Sequence, residues 1–318
     1  MELKIGVISD CHKLPLKYAE LLVWHLGSKQ PDLIVLNGDI FGDQTPQKEH
    51  GDYFYMFLRY TTDTNIPCIV VPGSHEIPVL VRQIAGNFKF ERKPLYVAFY
   101  DGFLLDLGQD LGQYQLLCLP GSEVVPAYLM YNAFVIDNSK ETGEYEHQHG
   151  VAMITNLEEI VNAAETQIRD PEKVIVLSHN PPKTNYEKGV DRAKFGVAEK
   201  DFYKGKQFFP RETSIFTRDV AENLLKEGHP ISLKEENVGS QDLSNLLSRT
   251  GIKICISSHI HEAVHHAHNS NGIPFEEGKE YPIRKGFFFN PSYGDRHLAG
   301  IIYIKDGKIG YERIKAIG

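Results

Sequence analysis

Five short stretches carry residue types that can do metal chemistry. They are Asp10-Cys11-His12, Gly38-Asp39, Gly73-Ser74-His75-Glu76, His179-Asn180-Pro181-Pro182 and His259-Ile260-His261. Each follows a short apolar run of strand type. One Asp after a strand is normally a turn residue or helix cap, and one His there is normally structural. Five strand ends of this kind in one chain point instead to a shared site, because ligands of open α/β sheets bind at the carboxyl ends of strands. Carboxylates mixed with imidazoles suit Mn, Fe or Zn better than Ca, which takes oxygen ligands. If Asp10-Cys11-His12 and His259-Ile260-His261 are extended, alternate side chains face the same way and both members of each reach one site. Asp39 can bridge two ions through its two oxygens. Two ions about 3.5–4 Å apart can generate a hydroxide nucleophile and clamp an in-line phosphoryl displacement. The chemistry implied is hydrolysis of phosphate esters.

The elements needed to position these residues are legible. "LKIGVIS", "DLIVLNGD", "PCIVVPG", "KVIVLSH" and "IKICISSHIH" read as buried strands. Between them, Leu16–Gly27 has Leu21, Leu22 and Leu26 at helical spacing and a glycine stop. "DYFYMFLRY" is long and amphipathic, and Leu243–Arg249 reads as a helix. This rhythm implies βαβ units and a sheet covered on both faces. "PLYVAFY", "GFLLDLG" and "YQLLCLPG" are strands, and a helix is expected from about Val151 to Ile168. Alternating runs around Asp306-Gly307 predict a terminal hairpin. The reading is a single α/β domain over residues 1–318 with one insertion.

The insertion spans about residues 183–240, and its stretch Lys183–Arg218 has no clear periodicity. That stretch has nine Lys or Arg and five Asp or Glu, a net of +4 in a chain whose formal charge is -8. It also carries Tyr186, Phe195, Phe202, Tyr203, Phe208, Phe209 and Phe216. Two readings stand side by side: a functional lid, or a small satellite core packed on the domain.

Composition sets outer limits. With 42% hydrophobic residues the chain can bury a proper core. Its acidic balance argues against coating nucleic acid or anionic membrane with the whole surface. No run is long enough to span a bilayer, the opening MELKIGVISD reads as a strand rather than a secretory signal, and the expectation is a cytoplasmic protein. Cys68, Cys118 and Cys255 lie in apolar runs and read as reduced core residues; Cys11 points away from Asp10 and His12. His147 and His149 read as a helix-entry loop, and His265, His266 and His268 as a solvated strand end or loop. Arg296 and His297, just past "FFFNPSYGD", are weaker candidates for touching phosphate.

The order Asp-x-His, Gly-Asp, Gly-Asn-His-Glu, His, Gly-His-x-His resembles the calcineurin-like metallophosphoesterases, from Ile5 to about Ser292. The resemblance implies a metallophosphoesterase-type β-sandwich flanked by helices, a four-layer α/β/β/α fold. It implies that Asp10, His12 and His261 hold a first metal, that His179 and His259 hold a second, and that Asp39 bridges them. His75 then acts on the substrate side, stabilising the phosphoryl group or protonating the leaving oxygen. Two divalent transition-metal ions are expected, with Mn favoured over Fe or Zn. Serine replaces the family's glycine at Ser258 and at Ser292. It also replaces the asparagine at Ser74, whose carbonyl would bind the second metal: Ser74 ligates directly, a water fills the gap, or the second site binds loosely. The expected substrate is a phosphorylated small molecule or nucleotide. The alternatives are a scaffold that keeps the fold without the reaction, and a nuclease that uses the basic, aromatic insertion.

Overall fold

The computed structural model describes residues 2–12, 14–40, 47–73, 75–76, 81, 84, 95–97, 103–107, 113–119, 165–166, 168–215, 218–291 and 293–316. Ser74, Ser292, Phe216, His147, His149 and most of the helix expected from Val151 lie outside these residues.

Two sheets carry the fold. The first contains β1 (Glu2–Ile8), β2 (Leu33–Asn37), β3 (Cys68–Val71), β4 (Leu95–Val97), β15 (Tyr281–Pro282), β17 (Leu298–Lys305) and β18 (Lys308–Lys315). Its order is β15-β18-β17-β1-β2-β3-β4, with β1 to β4 parallel and β17 antiparallel to β1. The second contains β5 (Phe103–Asp106), β6 (Gln115–Leu119), β7 (Val174–Ser178), β13 (Ile254–Ile256), β14 (Ala267–His268) and β16 (Phe287–Phe289), in the order β14-β16-β13-β7-β6-β5. Strands β6, β7, β13 and β16 run parallel.

Alternation along the strands sorts their side chains into layers. Ile5, Val7, Val35, Ile69 and Val71 face Leu116, Cys118, Ile175, Leu177, Ile254 and Phe289 in a core between the sheets. The intervening residues Ile34, Leu36, Cys68 and Val70 meet two helices, α1 (Leu16–Ser28) and α2 (Gln47–Asp63). On the other sheet Leu117, Val174, Val176 and Cys255 pack on Leu243, Leu246 and Leu247 of a later helix, Gln241–Thr250. The result is the expected α/β/β/α stack. Within α1 the buried stripe is Ala19, Leu22, Val23 and Leu26, and Leu21 is exposed. The terminal hairpin forms as read: Lys305 pairs with Lys308 across Asp306-Gly307, whose positive φ values of 49° and 73° suit a two-residue turn. Among the described residues no helix is long and apolar enough to cross a membrane.

The insertion, including its stretch with no clear periodicity, is folded. It forms β8 (Arg192–Ala198), β9 (Phe202–Lys204), β10 (Gln207–Phe209), β11 (Ser214–Ile215), helix α3 (Arg218–Lys226) and β12 (Ile231–Asn237). Strand β8 lies between β11 and β12, and β9 and β10 form a separate hairpin. Phe202, Phe209, Ile215, Ala221, Leu224 and Ile231 make its satellite core. Its period was hidden because several strands have only two or three residues, too short for an alternation to repeat. Glycine fills the tightest contact: a side chain at Gly196 would collide with Ala221 of α3 and Ile231. The helix Gln241–Thr250, here α4, follows, capped by Ser240 and ended by left-handed Gly251.

His265 and His268 are not solvated as expected. His268 is buried against Phe288 and Tyr186, with both ring nitrogens engaged. The two ring nitrogens of His265 are buried without a partner. Burial, helped by the Arg313 charge, lowers the His265 pKa to about 4. Below about pH 6.5 the unfolded chain therefore takes up a proton that the folded chain refuses, so stability falls as pH drops from about 6.5 to about 4. In His265→Leu the drop in urea midpoint between pH 7 and pH 5 should be smaller than in the parent protein; an equal drop would contradict this assignment.

Candidate metal centre

The sandwich brings the carboxyl ends of β1, β2, β3, β7 and β13 to one place. The loops there are fixed by backbone geometry as much as by side chains. Asp10, His12, Asp39 and His259 all have positive φ, between 31° and 67°. Non-glycine residues in this region cost on the order of 1–3 kcal/mol each and are held there by their surroundings. The expectation that Asp10-Cys11-His12 is extended is therefore corrected, and the ligands converge through left-handed bends. His259 and His261 do not meet at one site either, because the chain turns into a short 3-10 helix at His261–Ala263.

Two groups of potential ligands result. Asp10, His12 and His261 bring ligand atoms within 4.8 Å of one another, and so do Asp39, His179 and His259. The same holds for His12, Asp39 and His75, which join the two groups. In the first group His261 Nε2 lies 3.4 Å from Asp10 Oδ1 and 3.2 Å from His12 Nε2. In the second, His179 Nε2 is 2.9 Å from Asp39 Oδ2 and 3.1 Å from His259 Nδ1. His75 Nε2 lies 3.6 Å from Asp39 Oδ2, and the His75 side chain is 21% exposed. The structure thus brings together the residues of each set that the sequence resemblance assigned to an ion. Ser74, between Gly73 and His75, is outside the described residues.

The donor set fits divalent transition metals. Asp10 Oδ1 is buried with no hydrogen-bond partner, although two imidazoles face it. A buried carboxylate oxygen left this way is costly unless a cation completes it. His179 is prepared as a ligand: Nδ1 lies 3.0 Å from the Asn37 carbonyl, so the proton sits there and Nε2 faces Asp39 and His259.

Charge is unevenly spread. Burial works against the Asp39 anion, but the His179 and His75 charges outweigh it and hold its carboxyl well below the usual range. Burial likewise opposes charge on His179, yet Asp39 beside it lifts its pKa to about 9. Burial and the neighbouring His75 and His261 push His12 down to about 3. Without ions the Asp39 side is a carboxylate–imidazolium pair, and the His12 side is neutral imidazole beside an orphaned carboxylate oxygen.

The model of the calcineurin-like phosphoesterase family matches residues 3–263. The chain belongs to the calcineurin-like phosphoesterase family. No curated protein sequence matches it. The protein TT1561 of Thermus thermophilus shares the fold over all of both chains, at 13% identity with a TM-score of 0.55. Another solved structure aligns over 99% of this chain and all of its own, at 12% identity with a TM-score of 0.58. A dimetal phosphatase from Danio rerio aligns over 99% of both chains at 8% identity, with a TM-score of 0.41.

Several residues that hold the phosphoesterase site together had no role in the sequence reading. Glu76 is buried, and its carboxylate accepts from the backbone N–H groups of Gly73, Asp39 and Ile40. It ties the ends of β2 and β3 together. Burial and the Asp39 charge raise its pKa to about 7 against the pull of those donors. Asn37 donates to the Ser178 carbonyl at 3.0 Å and to Ser258 Oγ at 2.9 Å. The Ser258 hydroxyl thus anchors the Asn37 side chain. Asn290 donates to the Ile260 carbonyl, and the turn after it donates from Gly294 to Ser9 and from Asp295 to Asp10. Their only sequence signal was a polar residue at the end of a buried run.

Gly38 and Gly73 answer a space constraint. A side chain at Gly38 would strike the His179 ring, and one at Gly73 would strike Asp39 Oδ1 and its amide. The ligand loop is also backed from behind. Ile260, between the two histidines, is buried with Ala263 against Ala193 and Phe195 of β8.

Three outcomes test this geometry. Gly73→Ala should fold and yet retain less metal by mass spectrometry, because Asp39 is displaced; full retention would refute the constraint. Phe195→Ala should cost about 3–5 kcal/mol in urea unfolding and weaken metal retention, with Phe195→Leu recovering most of both. Metal must also displace the His179 proton below about pH 9, so the apparent affinity should rise with pH up to that point. Calorimetry in buffers of different ionisation enthalpy reads the released proton directly.

Proposed function

We propose that the protein hydrolyses phosphate esters with two divalent transition-metal ions, Mn being favoured, and that its substrate is a phosphorylated small molecule or nucleotide. The observation that carries this reading is the pair of adjoining carboxylate–imidazole groups joined through Asp39, with Asp10 Oδ1 buried and unpartnered between two imidazoles. Asp10, His12 and His261 would hold one ion, and His179 and His259 the other, with Asp39 shared. When bound, the ions acidify a water and neutralise phosphate charge.

The chain's own residues supply position and a proton. Asp39 is fixed from three sides: His179 at its Oδ2, the His75 amide donating to Oδ1 at 2.8 Å, and the Gly73 backbone beside it. That amide also sets where the His75 ring stands. The ring packs edge-on against His12 at 5.0 Å, and its Nε2 faces the site. From there His75 can donate to a phosphoryl oxygen and pass a proton to the leaving oxygen.

Chelation should abolish hydrolysis of an aryl phosphate, and added Mn should restore it; activity that survives chelation overturns the reading. His75→Ala should lower kcat by about 10²–10⁴ with metal content unchanged. The loss should shrink for aryl esters whose leaving group needs no proton. A loss independent of leaving-group pKa would remove His75 from the acid role.

A further inference from the structure

A turn beside the first ligand group presents a cation that the hydrolysis itself does not use. Tyr293 stacks on His261, with ring centroids 4.1 Å apart and planes 26° from parallel. The guanidinium of Arg296 lies over the Tyr293 ring, 5.1 Å from its centroid. Arg296 is thus two stacking steps from a metal-ligating imidazole.

The turn that carries Arg296 is tied to the end of β1. Gly294 N–H donates to the Ser9 carbonyl at 2.8 Å and Asp295 N–H to the Asp10 carbonyl at 2.9 Å. Gly294 sits so close to this strand end that a side chain there would collide with Cys11 and the Ser9 carbonyl. The turn therefore keeps a fixed position relative to Asp10.

The head of Arg296 is nevertheless available. Its side chain is 63% exposed, and its ion-pair partner is Asp219, at 3.8 Å and 76% exposed. An exposed pair at that distance contributes little, so an incoming anion can replace Asp219 at small cost. Asp219 lies in the first turn of α3, so the insertion supplies the group that occupies Arg296 when no substrate is bound. A guanidinium offers a planar fork suited to a carboxylate or phosphate.

We propose that Arg296 is a specificity residue that binds a second anionic group, carboxylate or phosphate, on the substrate beyond the phosphate that is hydrolysed. This rests on the phosphoesterase reading and adds a substrate class to it: phosphoesters with a further negative charge. Asp219 is the internal competitor for that position.

The Mn-loaded protein is assayed with phenyl phosphate and with its 3- and 4-carboxyl derivatives. Hydrolysis of phenyl phosphate tests the phosphoesterase reading alone. The ratio of kcat/KM for the better carboxyl derivative to that for phenyl phosphate tests the inference. It should exceed one in the parent and fall by about 2–5-fold in Arg296→Ala, the range expected for an exposed ion pair. The change should lie mainly in KM. Arg296→Lys should keep part of the ratio, and Asp219→Ala should raise it. Calorimetric titration of the same compounds reads the same discrimination where turnover is slow. A parent that does not prefer the carboxyl derivative overturns the proposal, and so does an Arg296→Ala ratio equal to the parent's.

Discussion

The structure depends most on keeping a buried negative charge at Asp39. A carboxylate with 1% exposure is tolerated only where the surroundings supply positive charge and donors. Here they are the His179 ring at 2.9 Å, the His75 amide at 2.8 Å and the His75 ring at 3.6 Å. The carboxylate is thereby the point at which β2, β3 and β7 are brought into register at their ends. Gly38 and Gly73 make the approach possible by having no side chain. Glu76 secures it from behind, holding the amides of Gly73, Asp39 and Ile40 with one carboxylate. Two buried carboxylates so close must differ in proton affinity. The histidines hold Asp39 low, and burial beside Asp39 lifts Glu76 to about 7.

The ligand loop after β13 is used on both faces. His259 and His261 turn toward the two ligand groups, while Ile260 between them is buried against β8. One loop cannot serve both groups with a fully extended backbone, which explains the positive φ at His259 and the 3-10 turn at His261. Such a loop needs backing, which the apolar residues Ala193 and Phe195 provide. The insertion therefore has a buried attachment directly behind the ligands, together with an exposed hairpin whose Tyr203 and Phe208 face solvent. The helix α3 completes the connection: the Arg218 amide lies 3.5 Å from Glu262 Oε1, and Asp219 lies beside Arg296.

The sequence showed the ligand types and the strand ends that carry them, because both follow local rules. Apolar runs of period two mark strands, and polar residues at their ends mark the mouth of a sheet. The structure brings Asp10, His12, Asp39, His75, His179, His259 and His261 together in three overlapping groups. Long-range pairing was less legible. Nothing local to Glu76 says that its carboxylate turns back to three amides, and nothing local to Asn37 says that it spans to Ser178 and Ser258. The left-handed bends at Asp10, His12 and His259 escaped an argument that assumed extended chain, because φ at these residues is imposed by packing. The insertion escaped because its strands are short and its core is shared between distant segments.

The asymmetry of charge gives the two ligand groups different relations to protons. On the Asp39 side the positive charge that an ion would bring is already provided in part by the proton on His179, held near pKa 9. On the other side His12 refuses a proton down to about pH 3, and Asp10 Oδ1 accepts no well-aligned hydrogen bond although the His261 ring is 3.4 Å away. The fold tolerates the first arrangement because the pair is internally neutral. It tolerates the second because Ser9 Oγ at 2.6 Å and the His259 amide at 3.4 Å both donate to the other oxygen, Oδ2. One carboxylate oxygen is thus satisfied by protein and one is left for a cation. A buried carboxylate oxygen without a donor is costly, which is the condition a bound cation would relieve.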